Sequence, residues 1–204
     1  METPRLPQGA RFNFSRMEVL LLDASQQGQE IFGLILMGFG VKKIHRFETA
    51  EDAETFLQRD PVDLVITEGQ LQEGKRDGYD FVRWLRRSGL DPNAFLPVIM
   101  ASGHTSAKNV AKARDCGANM IVSKPISAQI LMHRILWVGT EKRCFVDAGN
   151  YLGPDRRFKN VGPPRGTDGR RSTDLKEPIG AAVDPNMDQD EVDSLIKPQK
   201  VRAL

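Results

Sequence analysis

Between Met17 and Val138, short apolar runs alternate with amphipathic segments five times over, and this alternation constrains the fold more than any other feature of the chain. A buried parallel strand can return to its starting edge only through a crossover, and a helix is the usual one. The strand-like runs are Met17–Leu22, Val41–Phe47, Asp63–Thr67, Pro97–Ala101 and Asn119–Ser123. Asp63–Thr67 (DLVIT) is continuous and β-branched, as strands covered on both faces tend to be. The helical segments are Gln26–Met37, Ala50–Gln58, Tyr79–Arg87, Ser106–Asp115 and Ala128–Val138. Thr49 is placed to cap the second, in which Ala53, Phe56 and Leu57 recur at helical spacing; Gly117 closes the fourth. Phe81, Trp84 and Leu85 share one face of the third helix, and Arg83, Arg86 and Arg87 fall opposite, which predicts a solvated arginine face. Trp84 and Trp137 read as packing residues. The expected architecture is α/β, a flavodoxin-like doubly wound five-stranded parallel sheet. Its ligand site belongs at the carboxyl ends of the strands.

The flanks differ. Residues 1–16 are an extension without the apolar stretch of an export signal. No apolar run approaches the roughly 20 residues that span a bilayer. Cys116 and Cys144 have neither metal-site spacing nor the density of a disulfide framework, which fits a reducing cytoplasm. From Gly139 the periodicity is lost, and Asn150–Pro185 is rich in Gly, Pro, Asp and Arg. Such a composition buries too little surface to offset chain entropy, so residues 139–204 are expected to be a mostly disordered tail. Its two notable parts are an arginine-rich segment, 151–171, and a short amphipathic peptide, 187–196. The net charge of +2 says little about partners.

Four features fall at the strand ends. Asp23 follows the first strand, Glu68 the third, Ser102 the fourth, and Lys124-Pro125 the fifth, with the proline in the setting typical of a cis bond. This set, in this element order, resembles the receiver domains of bacterial response regulators, and the resemblance covers Met17–Val138. The resemblance implies an aspartate after the third strand that accepts a phosphoryl group from a histidine kinase. Two acids after the first strand help to hold Mg²⁺, and a hydroxyl and a lysine contact the phosphoryl oxygens. Position by position, Asp23 matches the first acid, Ala24 the second, Glu68 the phosphoacceptor, Ser102 the hydroxyl and Lys124 the lysine.

The departures from that pattern carry the functional reading. Ala24 has no oxygen, so Asp23 and Glu68 are at most weak Mg²⁺ ligands, and no cofactor is expected. Glu68 is one methylene longer than Asp, and in-line attack tolerates little displacement of the nucleophile. Its longer side chain can instead accept charge-assisted bonds from Lys124 and from Ser102, imitating the phosphorylated state. A Glu–Lys pair that sets no state is the other reading of the same residues. Ile121 stands where many receivers carry an aromatic residue that rotates on activation. Gly69–Asp77 is longer than the usual loop, although Asp77-Gly78 keeps its familiar ending. The expected function is therefore a non-enzymatic, phosphorylation-independent pseudo-receiver of two-component or chemotaxis-type signalling that acts by protein docking. A phosphorylatable regulator in a phosphorelay is the alternative.

The tail suggests two ligands. Arg156, Arg157, Arg165, Arg170 and Arg171, with Tyr151 and Phe158 among them, suit phosphates and bases, which makes a regulator responsive to cyclic di-GMP a third reading. Met187–Ile196 (MDQDEVDSLI) resembles the receiver-binding peptides of flagellar switch proteins and chemotaxis phosphatases. Val192, Leu195 and Ile196 are its docking residues, in cis or in trans. Expected partners are thus a histidine kinase, a chemotaxis regulator or a flagellar switch component. No DNA-binding pattern follows Val138, and no membrane partner is expected. His45, His104 and His133 lack partners at ligand spacing, and His104 reads as a loop-surface residue.

Overall fold

A computed structural model describes residues 12–71, 76–140 and 144–155. Five strands, β1 (Glu18–Leu22), β2 (Lys43–Phe47), β3 (Leu64–Glu68), β4 (Val98–Ser102) and β5 (Met120–Ser123), alternate with five helices. The helices are α1 (Gln26–Gly38), α2 (Ala50–Leu57), α3 (Gly78–Arg87), α4 (Ala107–Cys116) and α5 (Ala128–Thr140). The strands pair in parallel in the order β2-β1-β3-β4-β5, the flavodoxin-like order, as expected. Alternate strand side chains feed two cores. Leu20, Leu22, Val65 and Met100 pack under α2, α3 and α4, while Val19, Leu21, Ile66 and Val122 pack under α1 and α5. Helix starts are fixed by side-chain caps: Ser25 accepts from Gly28 N–H, Thr49 from Asp52 N–H, Asp77 from Asp80 N–H and Ser106 from Asn109 N–H. Gly117 ends α4 in the left-handed conformation, at φ 99°.

Two expectations are corrected. Arg86 does not belong to a solvated face: it is 1% exposed and reaches across the amino ends of β4 and β5. Its guanidinium donates to the carbonyls of Gly117, Ala94 and Leu96 and to Asn119 Oδ1, at 2.8–3.0 Å. A helical wheel cannot show this, because the fork is satisfied by carbonyls that only the fold brings there. Burial pulls the Arg86 pKa down to about 10, which still leaves it charged at neutral pH.

The second correction concerns residues 144–155, which fall within the tail expected to be mostly disordered. They form an antiparallel hairpin of β6 (Phe145–Asp147) and β7 (Leu152–Pro154). The Phe145 ring meets Phe95 edge-on at 5.2 Å and lies 5.1 Å from the Arg86 guanidinium carbon. Tyr151 is buried, its hydroxyl donating to the Pro154 carbonyl at 2.6 Å, and Arg87 donates to the Asn150 carbonyl at 2.9 Å. The hairpin thus caps the carboxyl ends of α3 and α4, at the amino-terminal edge of β4 and β5. Polar composition hid it, because its few apolar groups complete a core supplied by the domain.

Candidate functional site

Register places the site. Leu22 pairs with Thr67, Glu68 with Ala101, and Ser102 with Ser123, so Asp23, Glu68, Ser102 and Lys124 converge at one end of the sheet. Lys124 N–H also donates to the Ser102 carbonyl at 2.8 Å, which carries the pairing one residue past β5. Lys124-Pro125 is cis, and Pro125 is exposed.

The centre of the site is the Lys124 ammonium. It lies 2.6 Å from Asp23 Oδ2 and 2.7 Å from Glu68 Oε2, and 5.7 Å from the centre of the Phe32 ring. Burial works against its charge, but the Glu68 field and the bonds to both carboxylates outweigh it, and the Lys124 pKa is raised. The carboxylates are held from behind. Asp23 Oδ1 accepts from Ser25 N–H at 2.8 Å, and Glu68 Oε1 accepts from the Gly69 and Gln70 N–H groups at 2.7 and 3.3 Å. Asp23 is pressed so closely against the first turn of α1 that a Cβ on Gly28 would sit 2.2 Å from Oδ2. Gln29, which sequence reasoning passed over, donates to the Asp23 and Phe47 carbonyls and ties the ends of β1 and β2 together. A buried glutamine one turn into a helix after a strand-end acid was the available signal.

Glu68 meets Lys124, as its length suggested, but not Ser102. The Ser102 hydroxyl, fully buried, accepts from His104 N–H at 3.1 Å instead. His104 itself is exposed. Ala24 is half-buried and contributes no oxygen, and Ile121 is packed into the core under α3 and α4. The Mg²⁺ that the receiver resemblance implies does not fit this donor set: both carboxylates are turned onto an ammonium and backbone amides. Among the described residues no cluster of three or more His, Cys, Asp or Glu is placed to hold a metal. Tyr79 was not singled out from sequence. Its hydroxyl is buried beside Gly69 and has no hydrogen-bond partner among the described residues, and burial, then the Glu68 charge, raises its pKa. Arg156, Arg157, Arg165, Arg170 and Arg171, and Val192, Leu195 and Ile196, lie outside the described residues.

The chain belongs to the response regulator receiver domain family, whose model matches residues 19–136. It therefore carries a receiver domain of the response regulators of two-component signalling. It is 27% identical over 84 residues to "Histidine kinase 1" of Arabidopsis thaliana, a match covering 41% of this chain and 7% of that protein. It is also 27% identical over 125 residues to "Hybrid signal transduction histidine kinase D" of Dictyostelium discoideum, covering 59% and 8%. The chain thus spans less than a tenth of either relative's length. Among solved structures, the signal receiver domain of a signal transduction histidine kinase from Syntrophus aciditrophicus matches with TM-score 0.54 at 24% identity, covering 65% of this chain and 98% of that one. The chemotaxis response regulator CheY4 of Vibrio cholerae matches with TM-score 0.54 at 20% identity, covering 60% and 98%. At these identities the structural likeness speaks for the fold. Among the described residues no helix is long and apolar enough to cross a membrane.

Proposed function

We propose that this receiver signals by docking other signalling proteins without phosphorylation of its pocket, and that Glu68 and Lys124 hold the pocket in a single state. The observation that carries this reading is the ammonium of Lys124 lodged between Glu68 and Asp23, at 2.7 and 2.6 Å. A phosphoryl-transfer site needs a free nucleophile and spare positive charge from metal and lysine. Here the acceptor-equivalent oxygen atoms are both engaged, one by Lys124 and one by loop amides, and Ala24 removes an acid from the metal shell. Ile121, without a ring to swing, supports the same reading, as does Ser102, whose hydroxyl is turned onto His104 N–H. The chain then has no catalytic step of its own. Its free cysteines, Cys116 buried and Cys144 exposed, fit a reducing cytoplasm.

The test is incubation of the full chain with acetyl phosphate and Mg²⁺, followed by intact mass. The expected result is the unmodified mass. A stoichiometric phosphoryl adduct that disappears in Glu68→Gln would overturn the proposal and restore a phosphorylatable regulator.

A further inference from the structure

We propose that the exposed face of α1 is a self-association surface, on which a second copy of this chain docks across a two-fold axis through Leu34. Helix α1 buries Gln29, Phe32, Gly33 and Leu36, and so presents the opposite side to solvent. That side carries Ile31, Leu34 and Met37, exposed by 45%, 66% and 50%. They are three of the five large apolar side chains left exposed among the described residues, and a fourth, Phe12, joins the end of the same helix through Phe14 and Phe39. The fifth, Phe95, is already in contact with the Phe145 ring. An apolar stripe of this kind marks an interaction site more often than a solvated face.

The pattern of the stripe selects the occupant. Ile31 and Met37 lie three residues to either side of Leu34, so the face is palindromic in shape and polarity. A closed dimer requires one patch to complement itself, residue i meeting j and j meeting i. A two-fold through Leu34 sets Leu34 on Leu34 and brings Ile31 of one copy toward Met37 of the other, two side chains of similar bulk. The charges obey the same symmetry. Glu30 is the acidic residue on the exposed side, one turn before Leu34; the exposed Lys42 follows the carboxyl end of the helix, and the Arg46 guanidinium of β2 lies against Gly33 at its middle. Antiparallel helices carry Glu30 of each copy toward the basic end of the other, and Gly38, opposite Glu30, leaves room for the approach. Opposed helix dipoles favour the same arrangement. Because α1 starts beside Asp23, the two Lys124 sites of such a pair face opposite directions and both stay open to other proteins. A single helix face is small for a stable interface, so the association is expected to be reversible and concentration-dependent.

Sedimentation velocity of the full chain from about 1 to about 300 µM tests this, a range that brackets weak specific dimers. The weight-average mass is expected to climb toward twice the chain mass. Leu34→Glu should hold the protein monomeric with unchanged near-UV circular dichroism. Glu30→Lys should weaken the dimer by about tenfold, and adding Lys42→Glu should restore it. In a Cys144→Ser background, Leu34→Cys should cross-link into a disulfide dimer on mild oxidation, since a two-fold through residue 34 brings the two Cα atoms within bonding range. A monomer at every concentration overturns the proposal. So does a dimer indifferent to Leu34→Glu and unable to cross-link at residue 34. A chain that dimerises only after removal of residues beyond 155 overturns it too, since its own extension then covers the face.

Discussion

At the carboxyl ends of the strands the ammonium of Lys124 sits between two carboxylates; at the amino ends the guanidinium of Arg86 is surrounded by three backbone carbonyls and an asparagine oxygen. Both cations are drawn out of water, with opposite electrostatic results. The full negative charges of Asp23 and Glu68 outweigh the cost of burying Lys124, and its pKa rises. The dipoles around Arg86 supply geometry but no net charge, so burial prevails and its pKa falls to about 10. The difference separates a site from a joint. At the Lys124 end, charge is balanced by groups that a ligand or a substitution can redistribute. At the Arg86 end, four N–H···O bonds join α3 to the segments leading into β4 and β5, and Phe145 of the hairpin lies over the guanidinium.

The comparison can be broken most forcefully at Arg86. Arg86→Met leaves the carbonyls of Gly117, Ala94 and Leu96 without their donor, Asn119 Oδ1 keeping Val98 N–H, and a loss of about 3–5 kcal/mol in urea unfolding is expected. Arg86→Lys should recover little of it, because one ammonium cannot span acceptors on two separate segments. A loss below about 1 kcal/mol would reduce the joint to an ordinary surface contact. Ending the chain at Thr140 removes Phe145 and Tyr151 from the same end, with an expected cost of about 2–4 kcal/mol, scaled from the burial of two aromatic side chains. Its melting curve, compared with that of a chain ending at Asp155, isolates the hairpin. If the hairpin belongs to the joint, the truncation should cost less in the Arg86→Met background than in the parent, since contacting groups are not additive.

The carboxyl-end site should respond more mildly. Lys124→Met leaves Asp23 and Glu68 without their counter-charge, yet Lys124 keeps about a quarter of its side chain exposed. Water can therefore reach the pocket, and a loss of about 2 kcal/mol is expected, below that of Arg86→Met. The reverse ranking in parallel urea titrations would mean that the pocket, not the joint, anchors the sheet. The smallest effect is a gain. Tyr79→Phe removes a buried hydroxyl that has no partner among the described residues and should stabilise by about 1 kcal/mol. The same residue sharpens the alkaline behaviour. Its pKa is raised in the folded state, so its contribution is intact below the ordinary value of 10 and is lost as pH climbs beyond it. Tyr79→Phe should therefore flatten the fall in stability above pH 10, read as the midpoint of thermal unfolding against pH.

The alternation of buried runs and amphipathic segments was enough to locate the five strands and five helices and to call for a parallel sheet covered on both faces, because that period buries each strand between crossover helices. The same reading located Asp23, Glu68, Ser102 and Lys124, since residues just past strand ends in such a fold share one rim whatever the intervening loops. The Lys124–Glu68 contact was also foreseeable, from charge and reach alone. The Ser102 contact was not, because a hydroxyl takes the nearest correctly aimed donor, and the turn of the β4–α4 loop made that His104 N–H. Arg86 and the hairpin were decided only in three dimensions. The partners of Arg86 lie 8 to 33 residues away in the chain, and the hairpin borrows its core from Phe95, Arg86 and Gly117. Sequence records the period of an element and the chemistry of a side chain. Whether a buried charge is satisfied depends on oxygens delivered by distant segments, and their arrival is a property of the assembled fold.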